Sequence, residues 1–308
     1  MRLLVFGSCN IDRVYRLDHI VTPGETERTC DYAVFPGGKG LNQAIAAAAA
    51  GAEVRFAGAV GQDGELLTGT LVSRGVDISL LQKTDGASGH AVIQVSGGGE
   101  NAIFLYPGAN ETITDAYIDA VLAHFEAGDL LLLQNEINKL PYLVSRAKQR
   151  GLRILLNPSP CNERLHEVDF ACLDFLVLNE VEIRALGGDD DLAICLRNLA
   201  ARYPHLQILL TLGADGCILF ADGETLRQAA FETAVVDTTA AGDTFTGYFA
   251  AVMTRGETYR DALKTASAAA AIAVSRRGAA PSIPALAEVR AALPAMCERP
   301  SAAEWRSI

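Results

Sequence analysis

The chain has 308 residues, half of them hydrophobic and a fifth charged, the balance of a globular protein long enough to bury a large core. Lys plus Arg number 26 against 37 for Asp plus Glu, a formal net charge of −11. That surplus opposes nucleic-acid binding, because phosphate backbones are held mainly by Lys and Arg, and no local basic stripe offsets it.

The apolar run from Met1 to Gly7 is too short for a signal-peptide core and lacks a cleavage pattern, so residues 2–6 read as a first buried strand. Residues 13–36 then alternate without a helical period. A helix follows over 40–50, a strand over 54–59 and a helix over 66–74. Alternation returns over 88–106, centred on Ser96-Gly97-Gly98-Gly99-Glu100, a hairpin turn by composition. Further on, strands are expected at 129–133, 153–156, 175–178, 208–211 and 217–220, and helices at 115–125, 140–149, 192–202, 242–254 and 259–275. The tail after Pro294 reads as peripheral. Such alternation of short apolar runs with helical segments predicts an α/β fold, a mostly parallel sheet covered by helices on both faces. The two alternating segments have no helices of their own and predict a small separate sheet, either a flap over a cleft or a β-rich edge of the core. The whole chain, 1–308, is expected to be one domain.

No run of about 18 apolar residues free of breakers appears, which opposes a membrane span. The seven cysteines form no C-x-x-C pair and are expected as free thiols in a reducing cytoplasm. The five histidines are scattered, with no i,i+4 pair, so no zinc site is expected.

Three motifs stand out. Asp237-Thr238-Thr239-Ala240-Ala241-Gly242-Asp243 places small residues at the start of a helix, where free N–H groups and the helix dipole favour an anion. Asp243 itself reads either as a helix cap or as a general base. Gly37-Gly38-Lys39-Gly40-Leu41-Asn42-Gln43-Ala44 permits close backbone approach before another helix, but it is not a Walker A loop. No G-x-G-x-x-G follows the first strand, which opposes a Rossmann dinucleotide site. Asn10-Ile11-Asp12 follows the first strand and reads as a binding pair or as a surface turn. Glu136, Asn179 with Glu182, and Gly213 through Gly216 likewise follow strands. Polar residues repeated at one sheet edge are the signature of a ligand cleft.

Together these segments resemble the ribokinase/PfkB family of carbohydrate kinases, over about residues 2–292. Matches in order include Gly7-Ser8-Cys9-Asn10-Ile11-Asp12, Pro107-Gly108-Ala109-Asn110, Asn157-Pro158 and Thr211-Leu212-Gly213. The resemblance implies a three-layer α/β/α fold with a small β-sheet lid, and a kinase transferring the γ-phosphate of ATP to a primary sugar hydroxyl, ribose first among the candidates. Other acceptors (a nucleoside or a deoxy-sugar) and a non-catalytic sugar or nucleotide sensor are the alternatives. Asp243 is the implied base, and Asn10, Asp12, Gly38, Lys39, Asn42 and Glu136 the implied sugar-binding set. Asn179 and Glu182 match the family's N-x-x-E motif, which arranges Mg²⁺ and phosphates. Thr211, Gly213 and Gly216 fall in the implied nucleotide site, with Ala240, Ala241 and Gly242 as the anion hole. Asp237, Thr239, Ala273, Arg276, Gly278 and Ser282 resemble the potassium loops, several acting through carbonyls; otherwise that segment is a helix end stopped by Gly278. The lid implies a homodimer. Three positions depart from the pattern: Ser267 where a nucleotide-contacting His is common, Thr246 where Asn is common, and Tyr106-Pro107 at the lid entry.

Overall fold

Four- and five-residue runs of Leu, Val, Ile and Phe form the centre of the molecule, and their continuity follows from burial on both faces. The computed structural model describes residues 1–300. The last eight residues of the expected 1–308 domain lie outside the described residues.

The main sheet has nine strands: β1 (Leu3–Phe6), β4 (Val54–Val60), β5 (Asp77–Lys83), β8 (Leu130–Gln134), β9 (Arg153–Asn157), β10 (Phe175–Asn179), β11 (Gln207–Thr211), β12 (Cys217–Ala221) and β13 (Glu224–Gln228). Their order is β13-β12-β11-β10-β9-β8-β1-β4-β5, parallel except for β12 and β13 at one edge. Successive side chains of a strand point to opposite faces. Leu3 and Val5 therefore join one core, Leu4 and Phe6 the other. Helices α1 (Lys39–Ala49), α7 (Ala241–Thr254), α8 (Tyr259–Val274) and α9 (Leu286–Ala292) contribute to the first core. Helices α3 (Asp115–Leu122), α4 (Leu140–Gln149), α5 (Glu180–Gly187) and α6 (Leu192–Arg202) contribute to the second. Helix α2 (Glu65–Ser73) adds Leu67 and Leu71 to the first. The layers are thus α/β/α, as expected.

The alternating segments make the separate four-stranded sheet: β2 (Asn10–Arg16), β3 (Asp31–Gly37), β6 (Gly89–Val95) and β7 (Asn101–Tyr106), in the order β3-β2-β6-β7. The glycine-rich turn joins β6 to β7 as an antiparallel pair. Several expectations need correction. Asn10 and Asp12 lie within β2, paired across to β3 and β6, not in a surface turn. Strands β5 and β13 were not legible, because edge positions tolerate a mixed polar pattern. Helices α5 and α9 are too short for a clear period. The tail is not wholly peripheral: Glu232 N–H donates to the Cys297 carbonyl at 2.8 Å, and Arg299 N–H to the Ala230 carbonyl at 2.8 Å. A tail with its own backbone partners, next to a cavity, becomes part of the wall. Among the described residues no helix is long and apolar enough to cross a membrane.

Candidate active site

The chain runs from β1 outward to β4 and β5, then returns to place β8 on the other side of β1. The order reverses at β1/β8, and ligands of open parallel sheets bind at the carboxyl ends of strands at such a switch point. The segment after β1 holds Ser8, and the segment after β8 holds Glu136. These meet directly, with Ser8 Oγ donating to Glu136 Oε2 at 2.5 Å. The Lys39 backbone N–H donates to the same oxygen at 3.0 Å, fixing the start of α1 there.

Close approach of α1 depends on glycine. Gly38, with φ of +93°, caps α1, and a Cβ on it would lie 3.1 Å from the Ser8 carbonyl. A Cβ on Gly37 would stand 2.1 Å from Asp12 Oδ2, so the bare backbone leaves space for that carboxylate. Asp12 has no hydrogen-bond donor among the described residues. Burial first, then the charge of Glu136, pushes its pKa up to about 7. Burial also raises Glu136, against the opposing pull of Lys39 and its two hydrogen bonds. Asn10 is buried and oriented by Asn110, whose Nδ2 donates to its Oδ1 at 2.8 Å. Asn110 was recognisable in the Pro107–Asn110 match but not as a positioning group.

Asp243 sits in the first turn of α7 and is buried. Its two oxygens accept from α1: Oδ2 from Asn42 Nδ2 at 3.1 Å, Oδ1 from Gln43 Nε2 at 2.9 Å. Asn42 Oδ1 is buried with no hydrogen-bond partner among the described residues. Ala240, the residue before α7, is held at φ 58°, a left-handed conformation that costs a non-glycine residue about 1–2 kcal/mol. It turns the chain so that Gly242 and Asp243, whose amides have no acceptor among the described residues, line a cavity.

That cavity, about 150 Å³, is lined by Lys39, Asn157, Asn179, Glu182, Ala240 and Asp243, with Thr246 among the remaining wall residues. Burial disfavours the Lys39 ammonium, yet Asp243, Glu136 and Glu182 together hold its pKa above the ordinary value. Lys39 therefore faces the cavity beside Asp243 and not the sugar set alone. Asn179 and Glu182 form a capping box for α5: Asn179 Oδ1 accepts from the Val181 and Glu182 N–H groups, while Glu182 Oε2 accepts from Asn179 N–H. One Glu182 oxygen is left for the cavity.

A second cavity of about 280 Å³ shares Thr211, Thr238, Ala241 and Gly242 with the first. Thr211, Gly213, Gly216 and Ser267 line it, joined by apolar walls from Phe231, Val235 and Ala270. Arg299 lines it too, a residue no motif singled out.

Asp237 ties the expected cation loops together. Its Oδ1 accepts from Thr239 N–H and Oγ, and its Oδ2 from Gly278 N–H at 2.9 Å. The Asp237 N–H donates to the Val274 carbonyl at 3.1 Å. The Ala273 carbonyl accepts from the Arg276 N–H at 3.0 Å. The Arg276 side chain instead pairs with Glu288, leaving only its backbone for an ion. Ser282 Oγ donates to the Ala279 carbonyl and keeps its acceptor lone pairs.

The chain matches the family model of the pfkB family carbohydrate kinases over residues 1–286. It is 33% identical to the ribokinase of Haemophilus influenzae over 291 residues, covering 92% of this chain and 95% of that one. The structure superimposes on the ribokinase of Cryptococcus neoformans in complex with ADP with a TM-score of 0.82 and 36% identity, covering 94% of this chain and 99% of the other. For the Arabidopsis thaliana ribokinase complexed with ribose and ATP the TM-score is 0.85 and the identity 31%, with 95% and 98% covered.

Proposed function

The chain belongs to the pfkB family of carbohydrate kinases, and on that premise we propose that it phosphorylates D-ribose at the C5 hydroxyl with ATP, Asp243 serving as general base. The observation that carries this reading is a buried carboxylate in the first turn of α7, beside two unclaimed amides and a lysine. The sugar lies over Asn10, Asp12, Gly38, Asn42 and Glu136, where the free carboxylate of Asp12 and the orphaned oxygen of Asn42 accept from its hydroxyls. ATP lies with its base in the larger, apolar-walled cavity and its phosphates toward the smaller one.

In the reaction, Asp243 accepts the proton of the C5 hydroxyl as that oxygen bonds to the γ-phosphorus. The bond from phosphorus to the bridging oxygen breaks, and ADP leaves with the electron pair. The Gly242 and Asp243 amides and the Lys39 ammonium face the charge on the transferring group. Glu182 and Asn179 would hold Mg²⁺, which would neutralise charge on the phosphates. Asp237, Thr239, Ala273, Arg276, Gly278 and Ser282 would hold potassium, which steadies the loop leading into α7. The small sheet acts as a lid that excludes water. The apolar exposure of Tyr32, Val34 and Phe35 on β3, and of Ile103, Phe104 and Leu105 on β7, supports a homodimer through that sheet, testable by light scattering.

The test is ADP release across pentoses, 2-deoxyribose, hexoses and nucleosides, with Asp243→Asn alongside. Ribose should dominate, and Asp243→Asn should lose about 10²–10⁴-fold in turnover with sugar affinity kept. Activity confined to another acceptor rejects ribose; a fully active Asp243→Asn variant rejects the base.

A further inference from the structure

Behind Asp243 lies a chain of buried and half-buried amides that the reaction scheme does not use. Gln43 and Gln134 are both fully buried. Gln43 Nε2 donates to Asp243 Oδ1 at 2.9 Å and to Asn157 Oδ1 at 3.1 Å. Gln43 Oε1 accepts from Gln134 Nε2 at 2.7 Å. Asn157 Nδ2 in turn donates to the Val177 carbonyl at 2.9 Å.

The polarity of this chain is fixed from its far end. A backbone carbonyl can only accept, so Asn157 must turn its amino group to Val177 and its oxygen to Gln43. Gln43 must then present its amino group to Asn157 and Asp243, and its oxygen to Gln134. A flipped Gln43 would put oxygen against the oxygens of Asn157 and Asp243 and leave two buried donors facing each other. The links of Gln43 to Asp243 and to Gln134 are buried and those through Asn157 partly so, so a mismatch at Gln43 carries a penalty. Asn42, the other partner of Asp243, has no such lock, since its own oxygen is unpartnered.

We infer that Gln43, aligned by Gln134 and Asn157, is a positioning residue for the base: it holds Asp243 Oδ1 as a permanent acceptor and so leaves Oδ2, beside the unlocked Asn42, to take the sugar proton. A proton on Oδ1 would meet the N–H of Gln43. The relay draws on β8, α1, β9 and β10 to set one carboxylate of α7, which explains why a fully buried glutamine sits beside the sugar-binding loop. The charged groups coupled to Asp243 are Lys39 on α1 and Glu136 after β8, and neither contacts Gln43. This assignment rests on Asp243 being the base.

The test compares Gln43→Met, nearly isosteric but without the donor, with the parent enzyme on its best sugar. Turnover should fall about tenfold to a hundredfold, the worth of one hydrogen bond to a charged group, while KM for sugar and ATP changes less than about threefold. The acid limb of kcat against pH should move up, because the ionised carboxylate has lost a donor. Gln43→Glu, which keeps the shape, sets a second carboxyl against Asp243 and should move that limb further. Gln134→Met should reproduce the loss in milder form, since it removes the donor that steadies the Gln43 oxygen while Asn157 still opposes a flip. A purely structural glutamine would lower the melting temperature and leave the limb in place. Folded Gln43→Met or Gln43→Glu variants with the parent's acid limb and kcat would overturn the inference. If Asp243→Asn itself keeps full turnover, the base reading fails and this inference falls with it.

Discussion

Asp12→Asn changes how stability depends on pH in a way the structure fixes in sign. In the free protein the Asp12 carboxyl is partly buried, has no donor among the described residues and faces Glu136, which together displace it from 3.8 to about 7. The folded chain therefore keeps a proton that the unfolded chain gives up near pH 4. Between these two values every rise in pH favours unfolding, and above about pH 7 the penalty is complete. At full strength that displacement corresponds to about 4 kcal/mol; Asp12 retains some water contact, so about 2 kcal/mol is the working figure. Most of this accrues below about pH 5.5, and about 0.6 kcal/mol remains to accrue between pH 5 and 7.5. With an unfolding entropy of about 2.1 cal/mol/K per residue, the melting temperature of Asp12→Asn should gain about 1 °C on the parent across that interval. The assay is thermal unfolding without ligand at half-unit pH steps. Asp129 and Asp237 have lowered pKa values, so their stabilisation is lost only below about pH 4, outside the window. The raised His19 loses its contribution as pH rises, but equally in both proteins, and cancels. A gap that stays constant, or narrows toward pH 7.5, refutes the reasoning.

Two glycine substitutions should go in opposite directions. In α7, a Cβ on Gly247 would stand 2.5 Å from both Ala46 Cβ and the Gln43 carbonyl, so overpacking of about 1–3 kcal/mol outweighs the gain of about 1 kcal/mol in helix propensity. Gly247→Ala should melt lower and lose activity, since α1 and α7 carry Gln43 and Asp243. Gly69 in α2 has nothing within 4 Å, so Gly69→Ala should raise stability by about 0.5–1 kcal/mol with activity unchanged. Arg299→Ala should raise KM for ATP severalfold and leave KM for the sugar unaltered, as measured by initial rates. Asp237→Ala should abolish any rate difference between potassium and tetramethylammonium salts and lower the melting temperature through loss of its bonds to Thr239 and Gly278.

Local pattern was enough wherever burial on two faces wrote a continuous apolar word. Leu3–Phe6, Leu130–Gln134 and Phe175–Asn179 could be read with their neighbours almost to the residue, because a parallel strand has no polar face to interrupt it. The alternating segments were equally plain, though not whether they formed a flap or a core edge. Strands β5 and β13 escaped because an edge strand needs no such purity. The motif at Asp237–Asp243 was visible as small residues before a helix, yet one chain read alone could not separate cap from base.

By itself, then, the sequence determined the α/β alternation, the glycine-rich entry to α1, the small-residue entry to α7 and, through ordered motifs, the family. Those are properties of short segments, and short segments carry their own hydrophobic period and turn chemistry. Tertiary structure alone decided that β1 and β8 meet at the switch point and that Asp12 lies unpaired against Glu136. It also decided that Gln43 reaches across to Asp243 and that Arg299 returns to the wall of a cavity. These are contacts between residues far apart in the chain, made by amides and charges that have no periodic signal. Their partners exist only once the sheet has brought its strand ends to one edge.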